Sequence, residues 1–186
     1  MDPVLAQTAP VVSEPAVSVE RVADTLSPVD SLVLQLESIR DLSAQINRGL
    51  RDFDQAESDM TTLGLLADSV MKGRLLAYTD KGALRKVIAT RYGTSGYSIL
   101  EIYYRDDMPF MIGVTDVSRA DSTGPVTSRV EEVFYFARNG SLIRKVPTLT
   151  VRDIQGLKPA ERAREFQVMA DRYSIALLGQ RSMGGN

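Results

Sequence analysis

Between residues 74 and 147 the hydrophobic pattern shifts from helical spacing to near alternation, which limits the chain to a few folds. Short apolar or aromatic runs are separated there by turn-forming residues, among them DKG, GTSG, RDDM and RNG. Runs of this length between such turns are typical of successive antiparallel hairpins. We predict six strands, at about 74–79, 83–92, 97–104, 108–117, 129–137 and 141–147.

Helical patterns lie on both sides of this region. The motif SPVD at 27–30 supplies an N-cap serine, a proline at N1 and an aspartate at N3. Apolar residues then recur every three or four positions and predict an amphipathic helix over about 28–60. The next segment either extends this helix or forms a short one ending at Gly73. A C-terminal helix is predicted over about 159–178.

The order of these elements predicts an α+β fold. It consists of a long N-terminal amphipathic helix, an antiparallel β-meander of about six strands, and a C-terminal helix. Hydrophobic residues make up 44% of the chain, which suits one core. Residues 1–27 hold three of the eight prolines, with valine, alanine, serine and threonine between them, and predict a disordered linker. The remaining residues form one α+β domain at 28–180 and a flexible tail at 181–186.

The composition excludes several kinds of chemistry. Cysteine and histidine are absent, so thiolate or histidine metal sites and Ser-His-Asp, Cys-His or HExxH catalysis are impossible. Carboxylate pairs, Ser-Lys dyads and oxygen-ligated cations remain formally possible, but no motif indicates a cofactor or metal. The net charge of -2 does not favour nucleic-acid binding, and no run of about 18 apolar residues predicts a transmembrane segment.

The sheet offers two faces with different side chains. Strand alternation assigns one set to the core: Leu100, Ile102, Tyr104, Phe110, Ile112, Val114, Phe134 and Phe136. Tyrosine-rich, mixed-charge surfaces suit recognition, so the opposite face is the candidate binding surface. Its candidate residues, with one arginine from the second strand, are Tyr97, Glu101, Tyr103, Met111, Glu131, Tyr135 and Arg91. Ordinary cross-strand pairing, with Arg85 or Arg91 opposite Glu101, is the alternative explanation for these residues.

The stretch FYFARNGSLIRKV at 134–146 predicts a hairpin closed by a type I′ turn at Asn139-Gly140. Arg144 and Lys145 are adjacent in the strand and therefore point to opposite faces. Tyr135, with whichever cation shares its face, is the candidate contact in this stretch. In RDDM, adjacent Asp106 and Asp107 indicate a turn rather than a metal site or an acid/base pair.

The stretches EIYYRDDMPFMI and VEEVFYFARNGSLIRKV follow a long polar helix. Together they resemble hairpins in small uncharacterised bacterial periplasmic proteins and lipoproteins. The resemblance covers about residues 74–147, implies an extracytoplasmic location and transfers no catalytic residues. The chain has no cysteine to carry a lipid anchor. The proline-rich N-terminal segment also suits a linker after a removed signal peptide, while a disordered cytoplasmic tail is the alternative.

These observations favour a non-enzymatic, extracytoplasmic domain that recognises a protein or peptide partner. The contact surface would be the exposed sheet face or the long helix. A structural protein that self-assembles as a homodimer through the helix at 28–63 is the first alternative. A hydrolase using carboxylates, Glu101 with Glu131 or Glu132, is the second, although no motif supports it.

Overall fold

The computed structural model describes residues 27–65, 72–121, 123–148 and 158–183. The predicted linker, apart from Ser27, and residues 184–186 of the predicted tail lie outside these ranges. Two helices and seven strands occur in the described residues, with the following bounds: α1 Pro28–Gly49, β1 Asp54–Asp59, β2 Lys72–Asp80, β3 Ala83–Gly93, β4 Gly96–Arg105, β5 Met108–Arg119, β6 Val126–Phe136, β7 Leu142–Thr148 and α2 Pro159–Met183.

The seven strands form one antiparallel sheet in sequential order, β1 to β7. Each strand pairs with its neighbours in the chain, which confirms the meander, and all six predicted strands are present as β2 to β7. The helices also begin where predicted. Ser27 Oγ accepts a hydrogen bond from the backbone N–H of Asp30 at 3.2 Å, and α2 begins at Pro159.

The N-terminal helix is shorter than predicted, because α1 ends at Gly49. Residues 54–59 form β1, an edge strand whose side chains are nearly all exposed. Its sequence, DQAESD, has no apolar alternation, and Phe53 and Met60 on either side happen to fit helical spacing. Gly73 does not end a helix but lies in β2, opposite Arg91 in β3.

The tight turns differ from the prediction in one place. Asp106 and Asp107 both have positive φ angles, of 52° and 60°, so the β4–β5 turn is of type I′. The predicted type I′ turn at Asn139-Gly140 is wrong. Gly140 donates its N–H to the carbonyl of Ala137 and has φ 79°, whereas Asn139 has no positive φ. This is a type I turn followed by a left-handed glycine, which a three-residue hairpin loop needs.

One face of the sheet, the α2 face, is covered by α2 and forms the larger core. The ring of Phe134 lies 5.3 Å from that of Phe166 in α2. The hydroxyl of Tyr104 donates to the carbonyl oxygen of Ala170 at 2.9 Å, and burial raises the pKa of this phenol far above its ordinary value. The predicted core residues buried here are Leu100, Ile102, Tyr104, Ile112, Val114, Phe134 and Phe136. Full burial of such a side chain contributes about 1.5–3 kcal/mol.

An ion-pair cluster fixes the start of α2 to the same face. Arg162 donates through Nε to the carboxylate of Glu132, whose side chain is only 4% exposed. Its Nη2 also donates to Asp116 at 3.1 Å, and its guanidinium stacks over the ring of Phe166. A buried carboxylate is tolerated where a cation and hydrogen bonds compensate its lost hydration.

The opposite face, the α1 face, carries the smaller core beneath α1. The buried residues of α1 are Leu36, Ile39, Ser43 and Ile46. Phe110 packs here as well, although alternation assigned it to the α2 face. A shift in register between β4 and β5, at Tyr103 and Tyr104, inserts one extra residue. Such a bulge turns the side chain of the inserted residue to the other face.

Candidate functional site

The path of α1 across the α1 face decides which side chains remain available. The guanidinium of Arg40 lies 5.9 Å from the ring centre of Tyr135 in β6. About two turns further along the helix, Asn47 accepts hydrogen bonds from Lys86 in β3 and Tyr103 in β4. The helix therefore crosses the sheet from the β7 edge towards β3, and its C-terminal half covers the centre.

Three predicted contact residues lie beneath this helix. Tyr103 is 3% exposed and Tyr135 is 7% exposed, while Met111 between them is half-buried. Alternation placed all three on the correct face, but that face is not open at this position. Tyr103 and Tyr135 therefore belong to the packing of α1 and are unavailable to a partner.

A buried lysine lies at the β3 end of this covered region. Lys86 is 3% exposed, and its ammonium group donates to Asn47, Glu101 and Tyr103 at 2.8–3.1 Å. The same nitrogen lies 4.5 Å from the ring centre of Tyr103. The three acceptors match the three hydrogens of the ammonium group, so this cluster anchors the end of α1.

The open part of the α1 face holds the remaining predicted residues of this face. Tyr97, Glu101 and Glu131 line a shallow depression of about 350 Å³ beside Gly113, which we call the trough. Glu101 is paired with Lys86 and Glu131 with Arg129. The charges around the trough are thus largely compensated within the protein itself.

Arg91 lies on the α2 face, away from the other candidates. It pairs in register with Ser98, whereas Glu101 is opposite Ile88. Its guanidinium donates to Ser98 Oγ and to the sulfur of Met169 in α2, both at 3.2 Å. Arg91 and the trough therefore do not form one site, and Arg85, which pairs with Asp80, is not opposite Glu101 either.

Each of the carboxylates proposed for hydrolysis is paired with a cation. Glu101 and Glu131 each have a cationic partner on the α1 face, and Glu132 lies on the α2 face against Arg162. In the part of the chain that the structure describes, no group of three or more aspartates and glutamates is placed to hold a metal ion.

A larger depression lies beside the first half of α1, and the sequence did not predict it. It measures about 600 Å³ and lies between α1 and the β4–β5 and β6–β7 turns; we call it the groove. Apolar side chains from α1 and β7, Leu34, Ile39 and Ile143, line it together with Arg105 and Arg138. Elements distant in sequence, α1, β4, β6 and β7 with their turns, form it, so no local pattern indicates it.

The two arginines of the groove keep their charge, unlike Lys86 and Arg129, which are paired with glutamates. Neither Arg105 nor Arg138 forms an ion pair with any residue described in the structure. The guanidinium of Arg105 lies 5.7 Å from the ring centre of Phe110, which holds its position without neutralising its charge. The groove thus combines an apolar lining with two positive charges available to a ligand.

The first two turns of α1 are exposed although they are apolar. Val29 is 67% exposed and Leu32 is 40% exposed, whereas Leu36, on the same stripe, is only 5% exposed. Val33 and Leu34 are also about half exposed. We call residues 28–35 the overhang, because their apolar side chains are largely exposed.

Among the described residues, neither helix is apolar over a length sufficient to span a membrane. Comparison with protein-family models, with curated proteins and with solved structures found no match.

Proposed function

We propose that this protein is a non-enzymatic binding domain, and that the groove holds an acidic, apolar segment of a partner protein. The observation that carries the proposal is the presence of Arg105 and Arg138, without ion-pair partners among the described residues, in an apolar depression. Arginine binds carboxylates bidentately and tolerates partial desolvation better than lysine does. Opposite charges across such a surface give both orientation and specificity.

The size of the apolar surface favours a protein segment over a small molecule. The groove alone has the volume of a small-ligand pocket. Val29 and Leu32 of the overhang, however, do not line the groove, and a small ligand bound there would leave them exposed. A longer segment would cover both surfaces, as expected for a contiguous apolar patch rimmed by charge.

The alternatives have less support. Self-assembly through a helix at 28–63 would need an exposed apolar stripe along that helix. However, α1 ends at Gly49 and packs Leu36, Ile39 and Ile46 against its own sheet. A carboxylate hydrolase would have to use glutamates that are already paired with Lys86, Arg129 or Arg162. The extracytoplasmic location stays a prediction from the N-terminal segment and the resemblance.

A selection from a random peptide library tests the proposal. The immobilised protein is offered a phage-displayed library of dodecapeptides, and recovered phage are counter-selected on an Arg105→Ala/Arg138→Ala variant. We expect enrichment of sequences that combine aspartate or glutamate with aliphatic residues and that bind the wild type only. An Arg164→Ala/Arg172→Ala variant is the matched control, since both residues are exposed on α2. Failure to enrich any sequence, or equal binding to the groove variant, would contradict the proposal.

A further inference from the structure

The strand next to the groove lies at the edge of the sheet formed by the described strands. β7 is the last strand of the sheet, and no described strand pairs with its outer side. The alternate backbone N–H and C=O groups that do not face β6 are therefore open for pairing. A free edge of this kind binds extended peptides by adding a strand, with the backbone supplying affinity and side-chain pockets supplying specificity.

The length of the overhang matches additional strands. Arg40 and Asn47 are seven residues apart in α1, and this distance spans the sheet from β6 to β4 and β3. At 1.5 Å per residue it is about 10 Å, close to two strand spacings of about 4.8 Å. Val29 and Arg40 are eleven residues apart, which corresponds to about 16 Å by the same measure. Val29 and Leu32 thus lie above the positions of one or two strands beyond β7.

The positive charges near this edge favour an acidic added strand. Arg144 pairs in register with Tyr135, so it points to the α1 face, and it is exposed. With Arg105 and Arg138 it gives this end three arginines without ion pairs to described residues. Pairing of β7 with β7 of a second copy would bring like charges together, which is unfavourable. An acidic strand from another protein has the complementary charge.

We infer that the partner segment binds as an extended strand along the outer edge of β7. Its apolar side chains on one face would lie under Val29 and Leu32, and its acidic side chains would reach the arginines. The inference rests on the proposed function and adds the conformation of the ligand and the edge that it uses.

Hydrogen exchange tests this placement. The probe is the most strongly enriched dodecapeptide from the selection, synthesised with blocked termini. Two further versions are methylated at alternate backbone nitrogens, one version for each register. In the free protein we expect alternate amides of residues 142–146 to exchange faster than those of β6. The peptide should slow these exposed amides at least tenfold, and one register of backbone methylation should abolish binding, because each methyl group removes a ladder hydrogen bond.

Variants of the overhang provide the second measurement. Val29→Asp/Leu32→Asp should weaken peptide binding at least tenfold without changing the urea midpoint, since both residues are exposed. Val168→Asp/Ile175→Asp is the matched control, because these residues are exposed to a similar extent on the outer side of α2. We expect the control variant to bind the peptide as the wild type does.

The outcomes separate the two proposals. If the peptide binds through Arg105 and Arg138 but leaves the β7 amides unchanged, strand addition is wrong and the proposed function stands. If the outward amides of β7 are as protected in the free protein as those of β6, the chain itself covers the edge and the inference is overturned. If no peptide is enriched, both proposals fail.

Discussion

The two faces of the sheet are covered to very different extents. Among the described residues, the core on the α2 face has 18 buried hydrophobic residues and that on the α1 face has 6. The α2 face is mostly apolar, apart from the cluster of Arg162 with its carboxylates and the contacts of Arg91 with Ser98 and Met169. The α1 face contains a buried lysine, an open trough and a groove with two arginines that form no ion pair with a described residue. The α2 face therefore accounts for most of the stability, and the α1 face has the surface left over for binding.

A matched pair of phenylalanines gives the largest expected difference between the faces. Phe134→Ala, in the centre of the α2 face, should lower the free energy of unfolding by about 4 kcal/mol, through lost transfer energy and a cavity. Phe110→Ala on the α1 face should cost about 3 kcal/mol, because Arg105 and the nearby half-buried side chains are free to rearrange. Urea unfolding measures both. Equal costs, or a larger cost for Phe110→Ala, would mean that α1 packs as firmly as α2.

The ion-pair cluster of α2 is the next largest contribution. Arg162→Ala should cost about 3 kcal/mol, since the buried carboxylate of Glu132 loses the cation that faces it. Arg162→Lys should recover part of the loss, because lysine keeps the charge but lacks the planar fork. Arg164→Ala, a neighbouring exposed residue, serves as the control. Similar unfolding midpoints for the two alanine variants would show that the Arg162 cluster does not contribute to the stability of the α2 face.

Substitution of Lys86 on the α1 face should lower the free energy of unfolding by less than substitution of Arg162. Lys86→Ala is expected to cost about 1–2 kcal/mol, because Glu101 regains water while Tyr103 keeps its hydrogen bond to Asn47. Lys86→Met should cost less than Lys86→Ala, as it preserves the packing of the stem. Thermal unfolding of the two variants tests this. A cost as large as that of Phe134→Ala would show that the α1 face is as important for stability as the α2 face.

The smallest effect appears only at high pH and concerns the α2 face. Burial raises the pKa of Tyr104 above the ordinary 10.0, and burial likewise raises the pKa of Tyr173. The unfolded chain therefore loses these protons at lower pH than the folded protein does. The resulting stability is complete below pH 10 and is lost as the pH rises above it. Tyr104→Phe should make the decline of the unfolding midpoint above pH 10 shallower, and an unchanged decline would contradict this.

Much of the fold is predictable from the sequence because the signals are local. Turn motifs bound β2 to β7, and alternation places Ile102, Ile112 and Phe134 on the buried face. β1 was not predicted because an exposed edge strand needs no apolar pattern, and DQAESD has none. The bulge that moves Phe110 to the other face depends on how β4 and β5 pair, which residue types do not specify.

The candidate site was much less predictable, because it depends on tertiary placement. Tyr103 and Tyr135 were assigned to the correct face, but nothing in their own strands indicated that α1 covers them. Arg91 was placed near Glu101 because the register of the β3–β4 hairpin was unknown. The groove joins residues from four elements, so no local motif could indicate it. Which apolar residues of α1 are exposed also cannot be predicted until the position of the sheet relative to the helix is known.

The most direct test is the affinity of the enriched dodecapeptide for the wild type and for Arg105→Ala/Arg138→Ala, measured by isothermal titration calorimetry. Arg138 is exposed, and Arg105 is half-buried and forms no ion pair with a described residue, so the free energy of unfolding should agree within about 1 kcal/mol. We predict a dissociation constant at least tenfold higher for the variant, with Arg164→Ala/Arg172→Ala equal to the wild type. Equal dissociation constants for all three proteins would contradict the assignment of binding to the groove.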